Sequence, residues 1–318
     1  MYIASAYKVL NDYWRYLVGV VVVILGVMIF SIPHSLAILM KTFDGSADMT
    51  KLDDMNYIFS LFESNLNLIF ILLPFAGGLL FLILIAKYLH HQSLTQLTTA
   101  RRNIDWKRFW FALIFWGVLS SSLVAVDYFS NPEHYVNNFK LQQFLILCVI
   151  AVIMVPLQTS FEEYFFRGYL MQSIGLLAKN KWVPLVVTSL VFGLLHISNP
   201  EIGELGYIIL VIYIGTGFFL GIITLMDDGL ELALGFHLAN NLFTALLVTT
   251  DWTAFQTHSI FKDISEPGKA GFLDVFVPVF VIFPIVLFVF AKKYKWTNWK
   301  EKLFGRVEKP VEDYKILE

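Results

Sequence analysis

The sequence consists largely of long apolar runs, and no other feature constrains its fold as strongly. A bilayer core about 30 Å thick is crossed by about 20 helical residues, and apolar runs of this order recur along the 318 residues. Hydrophobic residues make up 57% of the chain and charged residues 15%, whereas a soluble domain has about 25% charged residues. This composition excludes a disordered chain, a nucleic-acid-binding protein and an ordinary soluble globule.

Eight apolar segments predict an all-α, polytopic membrane protein with about eight transmembrane helices. Lipid offers the backbone no hydrogen-bond partners, so each segment must satisfy its own peptide groups as a helix. No linker and no internal repeat interrupts the chain, and we therefore expect one membrane domain over residues 1–318. The segments lie at about 17–40, 66–88, 109–126, 142–177, 182–197, 206–226, 232–249 and 272–291.

Basic residues predict how the chain is oriented. With eight spans both termini share one side, and 17 Lys and Arg residues flank the spans there, against 5 on the other side, with Arg167 inside a span. Positive residues favour the cytoplasmic side, so we expect both termini in the cytoplasm. The tail, residues 292–318, is basic and rich in tryptophan near its start, and it is expected to be a solvated anchor at the lipid headgroups.

Ionisable residues inside the predicted spans concentrate at about residues 140–250, so we expect any functional site, and any catalytic core, to lie there. Each such residue costs roughly 2.5–3.5 kcal/mol on insertion scales, so it is expected to have a partner or a function. Glu163 and Arg167 are four apart on a helix and should pair, whereas Glu162 lies about 100° further round and escapes that pair. His237 and Asn241 are also four apart and share a face.

Two aspects of the geometry remain open in the sequence. Ser160 to Glu163 resembles a capping box that could begin a new helix, but residues 142–157 would then have to span alone, so a continuous helix is favoured. Glu162 and His196 are almost equally far from the turn near residue 180 and should face each other. His237 is about 12 Å too close to its own turn at 227–229, which requires a deeper turn or tilted helices.

Three motifs in this region resemble those of the CPBP family, which comprises CAAX proteases and bacteriocin-processing enzymes and is also called Abi. Family members carry EExxxR, FxxxH and HxxxN or HxxxD on successive helices of an eight-helix membrane core. The first three apolar segments match the family only in hydrophobicity. The corresponding residues here are Glu162 and Glu163 with Arg167, Phe192 with His196, and His237 with Asn241.

The resemblance implies an intramembrane endopeptidase with its catalytic cavity inside the membrane. Glu162 and His196 would activate water, His237 and Asn241 would hold the oxyanion, and Glu163 with Arg167 would support the site. No cofactor and no metal is implied. The expected partners are the lipid bilayer and a peptide or protein substrate, possibly lipidated, but no nucleic acid. The expected location is the inner membrane of a bacterial cell.

Three alternatives remain open. Two histidines and a glutamate could form a zinc site, although HExxH is absent and the single cysteine, Cys148, offers no thiolate cluster. The same fold could serve as a non-proteolytic scaffold or a bacteriocin-immunity protein, with the polar cluster as a structural network. A transporter could use the charges as a relay, but no inverted halves are evident.

Overall fold

The computed structural model of the protein describes residues 2–267 and 272–309, and its eight long helices follow the eight apolar segments. Short helices and 3₁₀ turns lie between the long helices or at the two ends of the bundle's chain, and they include Ile3–Lys8, Met55–Ser60, Leu94–Thr98, Pro200–Leu205 and Trp299–Phe304. The long helices are α1 (Tyr13–Phe43), α2 (Ser64–Leu89), α3 (Trp106–Ser130), α4 (Leu141–Ala178), α5 (Trp182–Ser198), α6 (Tyr207–Asp227), α7 (Glu231–Leu247) and α8 (Leu273–Tyr294).

Six of these helices are long and apolar enough to cross a membrane, which confirms the prediction of a polytopic, all-α membrane protein. The other two predicted spans, α5 and α7, are shorter, and α7 has 17 residues. Their length lies at the lower limit for a crossing. The outward side chains of the longer helices are apolar, and Val118 on α3 and Val149 on α4 are 63% and 62% exposed, as expected for surfaces that face lipid.

Helix α4 is continuous over 38 residues, so the alternative in which a new helix begins near Ser160 is wrong. Pro156 lies inside the helix, and such a proline is tolerated in membrane helices because neighbouring groups satisfy the freed carbonyl. From Glu163 to Leu170 the helix widens into a π-helix. Short π-helical stretches within α-helices occur frequently at functional sites, and this one carries Glu163 and Arg167 of the EExxxR motif.

Helices α5 and α6 pack closely because small residues line their contact. A Cβ atom on Gly217 would lie 2.7 Å from the carbonyl oxygen of Ser189, and one on Gly193 would lie 2.8 Å from the backbone nitrogen of Ile214. The GxxxG step of Gly217 and Gly221 therefore serves close helix packing, as its sequence indicates. This contact brings α6 against the helix that carries His196.

The Gly217→Ala substitution is expected to lower the free energy of unfolding by about 1–3 kcal/mol, the usual cost of overpacking. The added methyl group meets backbone, which cannot move aside as a side chain can. Unfolding in detergent micelles measures the change. Gly203→Ala is the matched control, because a Cβ atom there meets no atom within 4 Å. Equal midpoints for the two variants would contradict the close contact.

The end of the bundle that carries both described termini, which we call the terminal face, is formed by residues 2–12, 90–105 and 295–309 together with the α4–α5 and α6–α7 turns. At the α6–α7 turn, Arg101 donates to the carboxylate of Asp227 at 2.8 Å and pairs with Glu231 at 3.1 Å. Arg108 also binds Asp227.

Asp227 is consequently 5% exposed. The loop before α3 supplies Arg101 and the first turn of α3 supplies Arg108, and both guanidinium groups pair with its carboxylate. Backbone hydrogen bonds from Leu230 to the carbonyl of Thr98 and from Ala100 to the carbonyl of Asp228 hold residues 98–100 against this turn.

The described part of the tail packs on the rest of the terminal face through a few residues, whereas most of its residues are exposed, and the expected anchoring at the lipid headgroups stays a prediction. Lys181 donates to the carbonyl oxygen of Glu301 at 2.6 Å, and the N–H of Val307 donates to the carbonyl of Lys179 at 3.0 Å. Val307 is buried in an apolar cluster that includes Leu185, and this burial explains the packing. Residues 310–318 lie outside the described residues.

At the opposite end of the bundle, three short strands form a small sheet. They are β1 (Tyr135–Asn137), β2 (Val248–Thr249) and β3 (Phe261–Asp263). Strand β3 lies in the middle, antiparallel to β1 and parallel to β2. The sheet thereby ties the α3–α4 connection to the segment that follows α7.

Candidate active site

The ionisable residues of α4 meet α7 in the interior of the bundle. Glu162, Glu163, Arg167 and His237 are all at most 6% exposed. The predicted pair is present: Arg167 Nη1 donates to Glu163 Oε1 at 2.9 Å. The guanidinium group also lies over the ring of Phe192, 4.2 Å from its centroid. A buried ion pair of this kind requires further contacts to offset its desolvation, and the aromatic face supplies one.

His237 joins the two glutamates of α4. Its Nδ1 lies 2.7 Å from Glu163 Oε1, and its Nε2 lies 3.3 Å from Glu162 Oε2. The sequence correctly separates Glu162 from the Glu163–Arg167 pair, but it does not indicate that one imidazole contacts both carboxylates. His237, Glu162 and Glu163 therefore form one connected cluster.

The two contacts restrict where the protons of His237 lie. Glu163 accepts from Nδ1, which places one proton there. The contact between Nε2 and Glu162 Oε2 is then attractive only if a proton lies on one of these two atoms, because two lone pairs would repel each other. An imidazole nitrogen and a carboxylate oxygen thus lie within reach of a shared proton, the kind of arrangement that general acid–base chemistry uses.

His196 lies at the end of α5, where the helix tightens into a 3₁₀ turn over Leu195–Ser198. Its Nδ1 lies 2.8 Å from the carbonyl oxygen of Phe192, and its ring stacks on Tyr213 with centroids 4.2 Å apart. Since a carbonyl only accepts, Nδ1 carries a proton, and in the neutral imidazole Nε2 then offers a lone pair.

The structure does not bring His196 into direct contact with Glu162. Between these two described side chains there is neither a hydrogen bond nor an ion pair, and the expectation that they face each other stays a prediction. Both imidazoles nevertheless contact the ring of Phe192, at centroid distances of 4.9 Å for His196 and 6.1 Å for His237.

Asn241 lies one turn after His237 and is linked to α4 through Gln158, a residue outside the three motifs. Its Nδ2 donates to Gln158 Oε1 at 3.0 Å, and Gln158 Nε2 donates to Glu162 Oε2 at 2.9 Å. Gln158 is a buried amide four residues before Glu162, and this spacing within an apolar helix was a signal that could have found it. Asn240, expected to cap or pack, donates to Asn241 Oδ1 at 3.1 Å.

Among the described residues, no group of three or more His, Cys, Asp or Glu side chains is arranged to hold a metal ion. The geometry of His237 gives a reason, because a metal ligand must offer an imidazole lone pair and both nitrogens of His237 face carboxylate oxygens. Cys148 is a free thiol on α4, partly exposed.

A further carboxylate, Glu201, lies on the short helix Pro200–Leu205 that follows His196. Its Oε1 accepts from the backbone N–H of Ala254 at 2.9 Å, whereas its Oε2 is buried without a hydrogen-bond partner. Burial raises the pKa of Glu201, and the hydrogen bond from Ala254 and the nearby His196 offset this only in part. The residue ties the α5–α6 connection to the segment after α7.

The raised pKa of Glu201 predicts a pH dependence of stability. The folded state binds the proton more tightly than the unfolded state, so this stabilising contribution is complete below the ordinary pKa of 4.5 and is lost as the pH rises through the raised pKa. Glu201→Gln should remove this loss, and its unfolding midpoint should fall less between pH 4 and pH 8 than that of the native protein. Glu204→Gln, an exposed neighbour, should behave like the native protein; identical pH profiles for all three would contradict the prediction.

Comparisons with known proteins agree with the geometry. Residues 140–243 match the family model of type II CAAX prenyl endopeptidase Rce1-like proteins, and this range contains all six candidate residues. The resemblance to the CAAX protease family is thereby confirmed for this part of the chain. The chain is also 28% identical over 240 residues to the uncharacterized protein YyaK of Bacillus subtilis (strain 168), covering 75% of this chain and 79% of that protein. No solved structure matches.

Proposed function

We propose that this protein is an intramembrane endopeptidase that hydrolyses a peptide bond of a membrane-associated or lipidated peptide or protein. The buried cluster of Glu162, His237, Glu163 and Arg167 carries the proposal, because it places a carboxylate and a protonated donor side by side within the matched segment. Two carboxylates contact one imidazole here, and each buried charge costs desolvation energy. A residue that only packs the interior would not require these charges.

In the proposed reaction, Glu162 accepts a proton from a water molecule as the water oxygen attacks the carbonyl carbon of the substrate. The carbonyl oxygen becomes an oxyanion, and the tetrahedral intermediate then breaks its C–N bond while the proton moves from Glu162 to the leaving amine. His196 assists through its unprotonated Nε2, which can orient or deprotonate the same water. Water is the only co-reactant.

The oxyanion is held by hydrogen-bond donors on α7. His237 can donate from Nε2 once the substrate oxygen lies beside Glu162, and Asn241 can donate from the N–H that does not bind Gln158. Such donors are each worth about 2.7–4 kcal/mol of transition-state stabilisation. Glu163 fixes the orientation of the imidazole through Nδ1, as outer-sphere carboxylates do in other sites, and Arg167 balances the charge of Glu163.

We also propose that the terminal face lies in the cytoplasm and that the membrane is the inner membrane of a bacterium. The excess of basic residues on the terminal side supports the orientation, and the Bacillus relative supports the bacterial setting. A C-terminal epitope should then resist protease in intact right-side-out cells and become accessible in inverted vesicles. Digestion in the intact cells would contradict the orientation.

Reconstitution in liposomes with a library of membrane-tethered peptides tests the proposed activity. Mass spectrometry should find cleavage at an internal peptide bond, and treatment with a chelator should leave the rate unchanged. Loss of activity on chelation, restored by added zinc, would favour the zinc-dependent alternative. Absence of cleavage across lipidated and unlipidated peptides would favour the scaffold or immunity protein.

A further inference from the structure

A chain of four hydrogen bonds links α3 to the carboxylate of Glu162. Trp116 Nε1 donates to Asn240 Oδ1 at 3.1 Å, and Asn240 Nδ2 donates to Asn241 Oδ1 at 3.1 Å. Asn241 Nδ2 donates to Gln158 Oε1 at 3.0 Å, and Gln158 Nε2 donates to Glu162 Oε2 at 2.9 Å. Three helices, α3, α7 and α4, thus contribute to one continuous path, which we call the amide chain.

All four bonds of the amide chain run in the same direction, and its two ends dictate that direction. An indole N–H can only donate, and at the other end Glu162 Oε2 accepts from the amide of Gln158. Starting at Trp116, Asn240 must accept with its oxygen and therefore presents its NH₂ group to Asn241. The same reasoning passes through Asn241 and Gln158 to Glu162. No amide in the chain can flip without leaving two donors or two acceptors facing each other.

We propose that Trp116, Asn240 and Gln158 are positioning residues, which set the orientation of the Asn241 amide and the Glu162 carboxylate for hydrolysis. This inference rests on the proposed function, since it assigns a task to residues outside the three motifs. Its consequence is specific: the amide chain turns the NH₂ group of Asn241 toward α4, where one N–H binds Gln158 and the other remains for the oxyanion. A flipped Asn241 would present its oxygen there and repel the developing negative charge.

Burial makes the amide chain costly to interrupt. Trp116 is 6% exposed and Gln158 is 5% exposed, and the bond from Gln158 to Glu162 is buried, so breaking that bond leaves a polar group without water to replace its partner. The two asparagines between them are half-buried. The indole ring also packs on Phe236, with centroids 4.3 Å apart. A phenylalanine at position 116 would keep much of this packing but lack the indole N–H donor. The substitution therefore tests the hydrogen bond to Asn240.

Trp116→Phe should lower kcat for peptide cleavage roughly tenfold to a hundredfold, as small misplacements of catalytic groups do, and leave KM within about twofold of the native value. Gln158→Met should lower kcat at least as much. Trp110→Phe is the matched control, because Trp110 lies on the same helix and is 55% exposed. Native kcat in Trp116→Phe, with cleavage still abolished by Glu162→Gln, would overturn the positioning role and leave the proposed function intact.

A second measurement does not depend on cleavage. Trp116 and Gln158 form no hydrogen bond with each other, and unconnected sites have additive effects on stability. If the amide chain is continuous, Trp116→Phe should shift the unfolding midpoint less in the Gln158→Met background than in the native protein, because the chain is already broken there. Strictly additive shifts would overturn the chain even if the protein proves to be an active peptidase.

Discussion

Glu162→Gln is expected to reduce the rate of peptide hydrolysis by roughly 10²–10⁴-fold, the range that general acid–base catalysis typically contributes. Glutamine has almost the same shape and can still accept from Gln158 and contact His237, but its amide oxygen cannot take up the proton of the attacking water. Single-turnover cleavage of a peptide in liposomes measures the chemical step directly. The unfolding midpoint should stay near the native value, because the substitution also removes a buried charge.

Glu204→Gln is the matched control for this experiment. It makes the same chemical change on an exposed side chain of the short helix Pro200–Leu205, and its cleavage rate should equal that of the native protein. If Glu162→Gln cleaves as fast as this control, Glu162 is not the base, and the buried cluster is a structural network. The assignment of the endopeptidase mechanism would then fail.

Arg167→Met is expected to lower the free energy of unfolding by about 3–5 kcal/mol, the usual cost of removing one partner from a buried ion pair. Arg167 and Glu163 are both fully buried, and without the guanidinium group only His237 remains to balance Glu163. The substitution also removes the contact with Phe192 and the hydrogen bond to the carbonyl of Gly217. Unfolding in detergent micelles should show an earlier midpoint.

The double substitution Glu163→Gln with Arg167→Met separates charge from packing. It leaves no unpaired charge in the interior, so much of the lost stability should return, as when buried ion pairs elsewhere are replaced by uncharged groups. Recovery in the double variant, compared with Arg167→Met alone, would show that the uncompensated carboxylate caused the loss. A single variant as stable as the native protein would contradict the role of the pair.

Local spacing determined the features that the sequence could predict. The apolar segments gave the eight helices, because helix length follows from bilayer thickness. The spacing of Glu163 and Arg167 gave their ion pair, because residues four apart share a helix face. These inferences need only one helix at a time, and they remain valid whatever the neighbouring helices do.

Features that depend on how helices are placed against each other could not be predicted. The position of His237 between Glu162 and Glu163 depends on how α7 is placed against α4, and the start of α7 is tied to Arg101 and Arg108 from another part of the chain. The ring of His196 follows a 3₁₀ turn that its motif does not reveal. The amide chain depends on the rotation of three helices about their axes, which apolar patterns in lipid leave undefined.

The anchoring of the α6–α7 turn has a consequence for the placement of His237 and Asn241, the proposed oxyanion donors. Apolar contacts in a membrane resist the sliding of a helix along its axis only weakly. The ion pairs of Arg101 and Arg108 with Asp227 instead fix the start of α7 at one position along that axis. Because His237 and Asn241 lie on the same helix, their position along the axis is fixed as well. Anionic lipids that compete for these two arginines would therefore shift α7 along its axis, and His237 and Asn241 with it, although the lipids themselves would bind at the terminal face.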